Sequence, residues 1–220
     1  GTIPKSIFQT GFQGIEFDSS IDLNDTQFGM QSVLPVSFVL SRKIGNSLYI
    51  GFGLKGLFGL AYLSINGSGG ITSHEDKLLG NGNIQIQYNL GDMHVKVDSL
   101  LAYSSEGKFS PNINGKGYAI DIGMTKFIGN NWTLSLSVQN LMGQLSWDKN
   151  SSHNHVIQFE MDFNSDEFEE MGEYTQAQQD SLMETIITKD VTTTIDNLTS
   201  TLPLKVEIES EYLFGTKLLL

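Results

Sequence analysis

Three short stretches carry residue types that could do chemistry. His153-Asn154-His155 places two imidazoles at alternate positions, where they could bind a metal ion. Gly51-Phe52-Gly53-Leu54-Lys55-Gly56 matches the G-x-G-x-x-G pattern of dinucleotide-binding loops. Residues 166–173 are rich in carboxylates, which are the ligands that Ca²⁺ prefers.

Each of these patterns lacks a part that its chemistry requires. A metal site usually needs three or four converging ligands, so we interpret the two histidines as solvated loop residues. A dinucleotide site needs its glycines to end a strand and open a helix, whereas alternation continues here as far as Tyr62. The acidic stretch lacks EF-hand spacing and is typical of a solvated loop. The sequence therefore predicts no enzyme activity, no metal and no cofactor.

Composition narrows the class of protein further. The chain contains 13 basic and 25 acidic residues, and its formal charge of −12 argues against nucleic-acid binding, which needs clustered Lys and Arg. Cysteine is absent, so disulfides and thiolate sites are excluded. No window reaches the roughly 18 consecutive apolar residues of a transmembrane helix. If the chain enters a membrane, it must do so as a β-barrel.

The elements that would position any functional residue are predicted to be strands. Apolar and polar residues alternate with a period of two, as in Ile84, Ile86 and Tyr88 against Gln85 and Gln87. The same alternation predicts about seven strands, at residues 32–42, 47–64, 82–90, 93–104, 116–128, 132–139 and 202–212.

The connections between these strands are expected to alternate between short and long. Gly with Asn or Asp predicts tight turns at Gly45-Asn46, Gly91-Asp92 and Gly129-Asn130-Asn131. The long connections are residues 65–81, 105–115 and 147–201. Short turns on one side and long loops on the other are typical of an antiparallel, up-and-down outer-membrane barrel.

Two segments depart from the strand pattern. Residues 1–31 are interpreted as a loop with a short helix opening at Pro4. Residues 164–200 begin with an acidic run at 166–170, which is followed by a predicted helix from Thr175 to Ile186. Residues 154–163 alternate and are interpreted as a strand-like extension of that loop. The chain is thus expected to be a single partial barrel domain (1–220), with about six membrane strands in 32–146, a long loop in 147–201 and another strand in 202–213.

Four stretches resemble the FadL/PorV-like group of outer-membrane barrels, which includes the long-chain fatty-acid transporter and the type IX secretion shuttle protein. These stretches are residues 45–55, 117–124 (GYAIDIGM), 134–143 (LSLSVQNLMG) and 201–208 (TLPLKVEI). With their surroundings they cover about two-thirds of the chain. Ala119 stands where the group often has glycine, and Glu209 and Ser210 lie where another glycine is usual. The resemblance implies about fourteen strands; an odd count near seven cannot close a barrel, so a fragment is expected.

The predicted site residues belong to two sets. Charges on a membrane strand must avoid lipid, so the polar residues are expected to face the lumen: Lys55, Gln85, Gln87, His94, Lys96, Asp98, Asp121, Ser135, Gln139, Lys205, Glu207 and Glu209. Aromatic residues near turns and loops are expected at the membrane interfaces: Tyr49, Tyr62, Tyr103, Tyr118, Phe127, Trp132 and Trp147. The alternatives are a hydrated lumen without transport and the ordinary enrichment of aromatics in strands.

These observations predict a protein of the bacterial outer membrane whose partner is lipid. The first hypothesis is a channel or transporter for small hydrophobic compounds. The second is an adaptor or shuttle for secreted proteins, with the acidic loop as docking surface. The third is a soluble β-sandwich that acts as a binding module.

Overall fold

The computed structural model describes residues 19–74, 76–91, 94–99, 102–106, 112–164, 178, 181 and 185–214, with backbone only for 94–99 and 102–106. This part of the chain is dominated by strands. They are β1 (Ser20–Asp22), β2 (Thr26–Ile44), β3 (Leu48–Ser73), β4 (Lys77–Asn89), β5 (His94–Ser99), β6 (Ala102–Glu106), β7 (Gly115–Ile128), β8 (Trp132–Trp147), β9 (Ser152–Asn164), β10 (Ile187–Thr194), β11 (Thr199–Thr201) and β12 (Lys205–Tyr212). The predicted all-β, antiparallel class is confirmed.

Antiparallel pairing links ten of these strands into one sheet, and β5 pairs with β6 in a separate two-stranded sheet. Over the described residues the large sheet does not close on itself. None of the helical residues described belongs to a helix long and apolar enough to span a membrane. The chain divides into two compact units, and strands β2 and β3 contribute residues to both.

Unit 2 comprises Val33–Leu60, Ile113–Trp147 and Asn197–Leu220. Its strands follow the order β2-β3-β7-β8-β12, and β11 pairs with the end of β8. The predicted tight turns between β2 and β3 and between β7 and β8 are confirmed, and Gly45 and Gly129 both have a φ of 63°. Glycine adopts this left-handed conformation at no steric cost, which explains the turn positions.

Unit 1 comprises Gly1–Ser32, Ala61–Asn112 and Asp148–Asp196. Here the order is β10-β9-β4-β3, and β1 pairs with Gly70–Thr72 of β3. Its core contains Ile86, Tyr88 and Ile157, none more than 2% exposed. These three side chains lie on one face of the sheet, as the alternation predicts for two of them.

Several predicted boundaries are wrong. Residues 65–81 are not a long loop, because β3 continues to Ser73 and β4 begins at Lys77. Residues 93–104 do not pair with 82–90, because β3 and β9 occupy the two edges of β4. Strict alternation of short and long connections therefore does not hold.

The segment 147–201 contains much more regular structure than a loop. The alternating residues 154–163 lie in β9, which pairs with β4 on one edge and β10 on the other. The described residues of the predicted helix, Gln178, Ser181, Thr185 and Ile186, have helical backbone. The acidic run and the segment opening at Pro4 lie outside the described residues.

Candidate functional site

The most distinctive surface of unit 2 is an exposed apolar face, formed by one side of four adjacent strands. Paired residues of antiparallel strands project to the same side of a sheet, so the register defines this face row by row. One row is Ile50, Met124, Leu136 and Ile208. The next is Phe52, Ile122, Val138 and Val206.

These apolar side chains are exposed rather than packed. Phe52 and Ile122 are each 47% exposed, and Ile208 is 76% exposed. Single exposed apolar residues are ordinary on a protein surface, but a contiguous face of them marks an interaction surface. The described part of unit 2 therefore leaves this apolar face uncovered, as is typical of an interaction surface.

The opposite side of the same strands is the polar face of unit 2. Its rows are Tyr49-Thr125-Ser135-Glu209 and Gly51-Gly123-Ser137-Glu207. Thr125 Oγ1 lies 3.1 Å from Ser135 Oγ, and Gln139 Nε2 donates to Glu207 at 2.8 Å. Because two central residues are glycines, the rows enclose a groove of about 800 Å³. Its lining includes hydroxyls and carboxylates and also residues of the same strands that are apolar, namely Ile50, Met124, Leu136, Val206 and Ile208. The groove can therefore contact both polar and apolar groups.

A network of one cation, one anion and one amide lies on this polar face. Lys55 Nζ is 2.8 Å from Asp121 Oδ2 and donates to Asn140 Oδ1 at 3.1 Å. The backbone N–H of Asn140 donates to the other Asp121 oxygen at 2.9 Å, and Asn140 Nδ2 donates to the Pro203 carbonyl at 3.1 Å. Asn140 has a φ of 60° in an irregular part of β8, so these bonds hold a bulge in place.

The predicted lumen-facing residues fall into three groups. Those that share the polar face of unit 2 are Lys55, Asp121, Ser135, Gln139, Lys205, Glu207 and Glu209. Gln85 and Gln87 lie in unit 1, on the side opposite Ile86 and Tyr88, and Gln85 donates to Asn154 at 2.9 Å. The side chains of His94, Lys96 and Asp98 lie outside the described residues. That any of them faces a lumen stays a prediction.

The predicted interface aromatics lie on different faces. Trp132 and Tyr118 are on the apolar side of unit 2, 43% and 54% exposed. Tyr49 and Phe127 are on the polar side, where their rings meet edge to face at 5.7 Å. Tyr62 is half-buried in unit 1, and the side chain of Tyr103 is outside the described residues.

Trp147 lies on the polar side of β8 and is only 5% exposed, and its place at a membrane interface stays a prediction. Its proximity to a predicted loop suggested an interface residue. The sequence analysis did not predict that Trp147 is buried or that Asn140 holds the bulge in β8. For Asn140 the signals were its place in the 134–143 stretch and the tolerance of asparagine for positive φ.

The two histidines of the His-Asn-His stretch belong to β9 and not to a loop, which corrects the sequence-based interpretation. His155 is 4% exposed, with Nδ1 2.6 Å from Thr192 Oγ1 and Nε2 3.0 Å from Asp190 Oδ1. His155 and Thr192 are directly opposed in the register, so these contacts hold β10 against β9. Among the described residues, no group of three or more His, Asp or Glu side chains could hold a metal ion.

Fold and surface together define an all-β, antiparallel-sheet protein with one exposed apolar face and one polar, grooved face. The chain belongs to a protein family of unknown function, DUF5723, whose family model matches residues 1–219. No curated protein and no solved structure matches the chain.

Proposed function

We propose that unit 2 is part of the wall of a β-barrel in a bacterial outer membrane, with its apolar face against lipid. The observation that carries this proposal is the sidedness of unit 2. Apolar side chains are exposed on one side of its strands, and hydroxyls, amides and charges occupy the other. A barrel wall has this arrangement, because its outer surface meets hydrocarbon and its inner surface meets water.

The length of the apolar face fits a bilayer. On β7 the face runs from Tyr118 to Ile128. A tilted transmembrane strand needs about 9–11 residues, which is the length of this segment. At the Ile128 end, Trp132 donates from Nε1 to Ser210 Oγ at 2.8 Å, with Tyr212 opposite it in the register. An amphipathic aromatic pair of this kind is typical of the membrane–water interface.

Unit 1 supports the same proposal, because the polarity of its two sides is the reverse of that in unit 2. The less buried side of its sheet carries Asn66, Gln85 and Asn154, and its hidden side carries Ile86 and Ile157. Such a sheet is suited to water on its outer side. We therefore infer that this side of unit 1 faces water and is not part of the lipid-facing wall.

The cargo that we propose is a small hydrophobic compound. The groove on the polar face and the exposed wall are consistent with a barrel that takes up solutes. The adaptor hypothesis depends on the acidic run at 166–173, which lies outside the described residues, so no described contact favours it. Uptake of a small hydrophobic compound into vesicles that carry the protein, faster than into empty vesicles, is expected.

The two tryptophans allow a direct test of the lipid contact. Trp147→Phe leaves Trp132 as the sole tryptophan, on the apolar face, and Trp132→Phe leaves the buried Trp147. In vesicles of brominated phospholipid we expect strong quenching of Trp132 fluorescence and weak quenching of Trp147. The soluble β-sandwich predicts the opposite result, in which the protein stays in the supernatant and neither tryptophan is quenched.

A further inference from the structure

The polar face of unit 2 ends in an apolar layer. Its members, which we call the Trp147 layer, are Leu57, Ala119, Leu145 and Trp147. Leu57, Ala119 and Leu145 are at most 1% exposed, and Trp147 is 5% exposed. Leu57 and Leu145 belong to one row of the register, with Gly117 between them and Ser200 beyond. The layer therefore extends over the same strands that form the groove.

The backbones of Gly59 and Gly115 leave the space that the indole ring of Trp147 occupies. A Cβ atom at Gly59 would lie 2.6 Å from carbons of the Trp147 ring, and one at Gly115 would lie 2.8 Å from it. The ring thus lies flat over both glycine backbones, where no other residue type would leave room. At its other edge, Trp147 Nε1 donates to Ser200 Oγ at 2.9 Å. Its polar atom is satisfied within the protein, so the buried ring contributes only hydrocarbon to the layer.

Polarity on this face changes within two residues of a strand. Lys55 and Asp121 form their ion pair on the same side of β3 and β7 as Leu57 and Ala119. An ion that moves from the groove toward the Trp147 layer loses water and gains no polar partner from the layer. Apolar constrictions in channels exclude ions in this way, because water does not wet the constriction and an ion would have to leave its hydration shell to pass.

We propose that the Trp147 layer is a selectivity barrier in the lumen, and this inference rests on the proposed barrel. The barrier excludes ions and polar solutes and admits apolar solutes. Trp147 and Leu57 would then determine specificity. The class of solute that passes is apolar, even though hydroxyls and carboxylates form part of the groove on the same face.

The experiment compares two tryptophan truncations of the full chain in phospholipid vesicles. Trp147→Ala opens the barrier, and we expect potassium conductance and the rate of swelling in a small sugar to rise at least about tenfold. Trp132→Ala removes the same side chain from the apolar face and serves as the matched control, with unchanged permeability expected. Ala119→Ser, which adds one hydroxyl to the layer at little steric cost, should give a smaller rise in the same direction.

Insertion is measured separately, by co-sedimentation with vesicles for every variant and by brominated-lipid quenching for the variants that retain Trp132. If the variants insert and neither Trp147→Ala nor Ala119→Ser raises permeability above wild type, the barrier is not at this layer and the inference is overturned, while the proposed wall stands. If wild type itself does not insert, both fail. If Trp147→Ala does not fold, Ala119→Ser alone decides.

Discussion

Units 1 and 2 use the same period-two strands but hide opposite kinds of side chain. In unit 1 the hidden side holds Ile86, Tyr88 and Ile157, and amides face outward. In unit 2 the exposed side holds Phe52 and Ile208, and much of the other side is polar. Alternation therefore identifies a strand with two unlike faces, but the surroundings decide which face is turned inward.

The largest difference is expected for truncation of isoleucine in the two units. Ile86→Ala empties a site that is 2% exposed and should cost about 2–5 kcal/mol of unfolding free energy. Ile122→Ala changes a side chain that is 47% exposed and should cost about 1 kcal/mol or less. Denaturant titration of both variants in detergent measures the two costs. Equal losses would mean that the apolar face of unit 2 is packed in solution.

A charge placed on the outward side of each unit sharpens the comparison. Val138→Lys puts an ammonium among Ile122 and Val206 and should destabilise the protein in a bilayer by about 2–4 kcal/mol. Val156→Lys makes the same change between Gln85 and Val191 in unit 1 and should stay within about 0.5 kcal/mol. Denaturant unfolding in phospholipid vesicles measures the change in unfolding free energy for both variants. A larger loss from Val156→Lys would refute the assignment of unit 2 to lipid.

The smallest contrast concerns two ion pairs. Asp121→Asn leaves the ammonium of Lys55, whose side chain is 15% exposed, without its carboxylate partner and should cost about 1–3 kcal/mol. Asp162→Asn removes the partner of Lys77, 3.8 Å away and more than half exposed, and should cost less than about 0.5 kcal/mol. Thermal unfolding distinguishes these values. Comparable shifts would mean that water reaches the Lys55 network freely.

Much of the strand content could be predicted because alternation and glycine turns are local signals. The strands β7, β8 and β12 begin within about three residues of their predicted starts. Residues 65–73 were missed because Gly, Asn and Ser disfavour strands when considered locally. In the structure these residues pair with β4 residue by residue, so tertiary pairing overrides that preference.

The pairing of strands that are distant along the chain could not be predicted, because no local pattern in the sequence indicates which strands pair. β9 pairs with β4, which precedes it by more than 60 residues along the chain, and the Thr-rich β10 pairs with β9. The polar face of unit 2 was predictable because alternation puts Asp121, Ser135 and Glu207 on the polar side of their strands. Two irregularities in β8, with positive φ at Asn140 and Met142, could not be derived from spacing, and they determine what lies around Lys55.

Strand β3 has a consequence for how the protein would be anchored. Sliding an antiparallel strand by two residues keeps every side chain on its own face and restores the hydrogen-bond pattern. Along β3, however, the outward residues change from Ile50 and Phe52 to Ser64 and Asn66. Immersing the second pair in hydrocarbon or lifting the first pair into water is unfavourable. If unit 2 forms a barrel wall, the change of polarity along this one strand would therefore determine how deeply the wall lies in the bilayer.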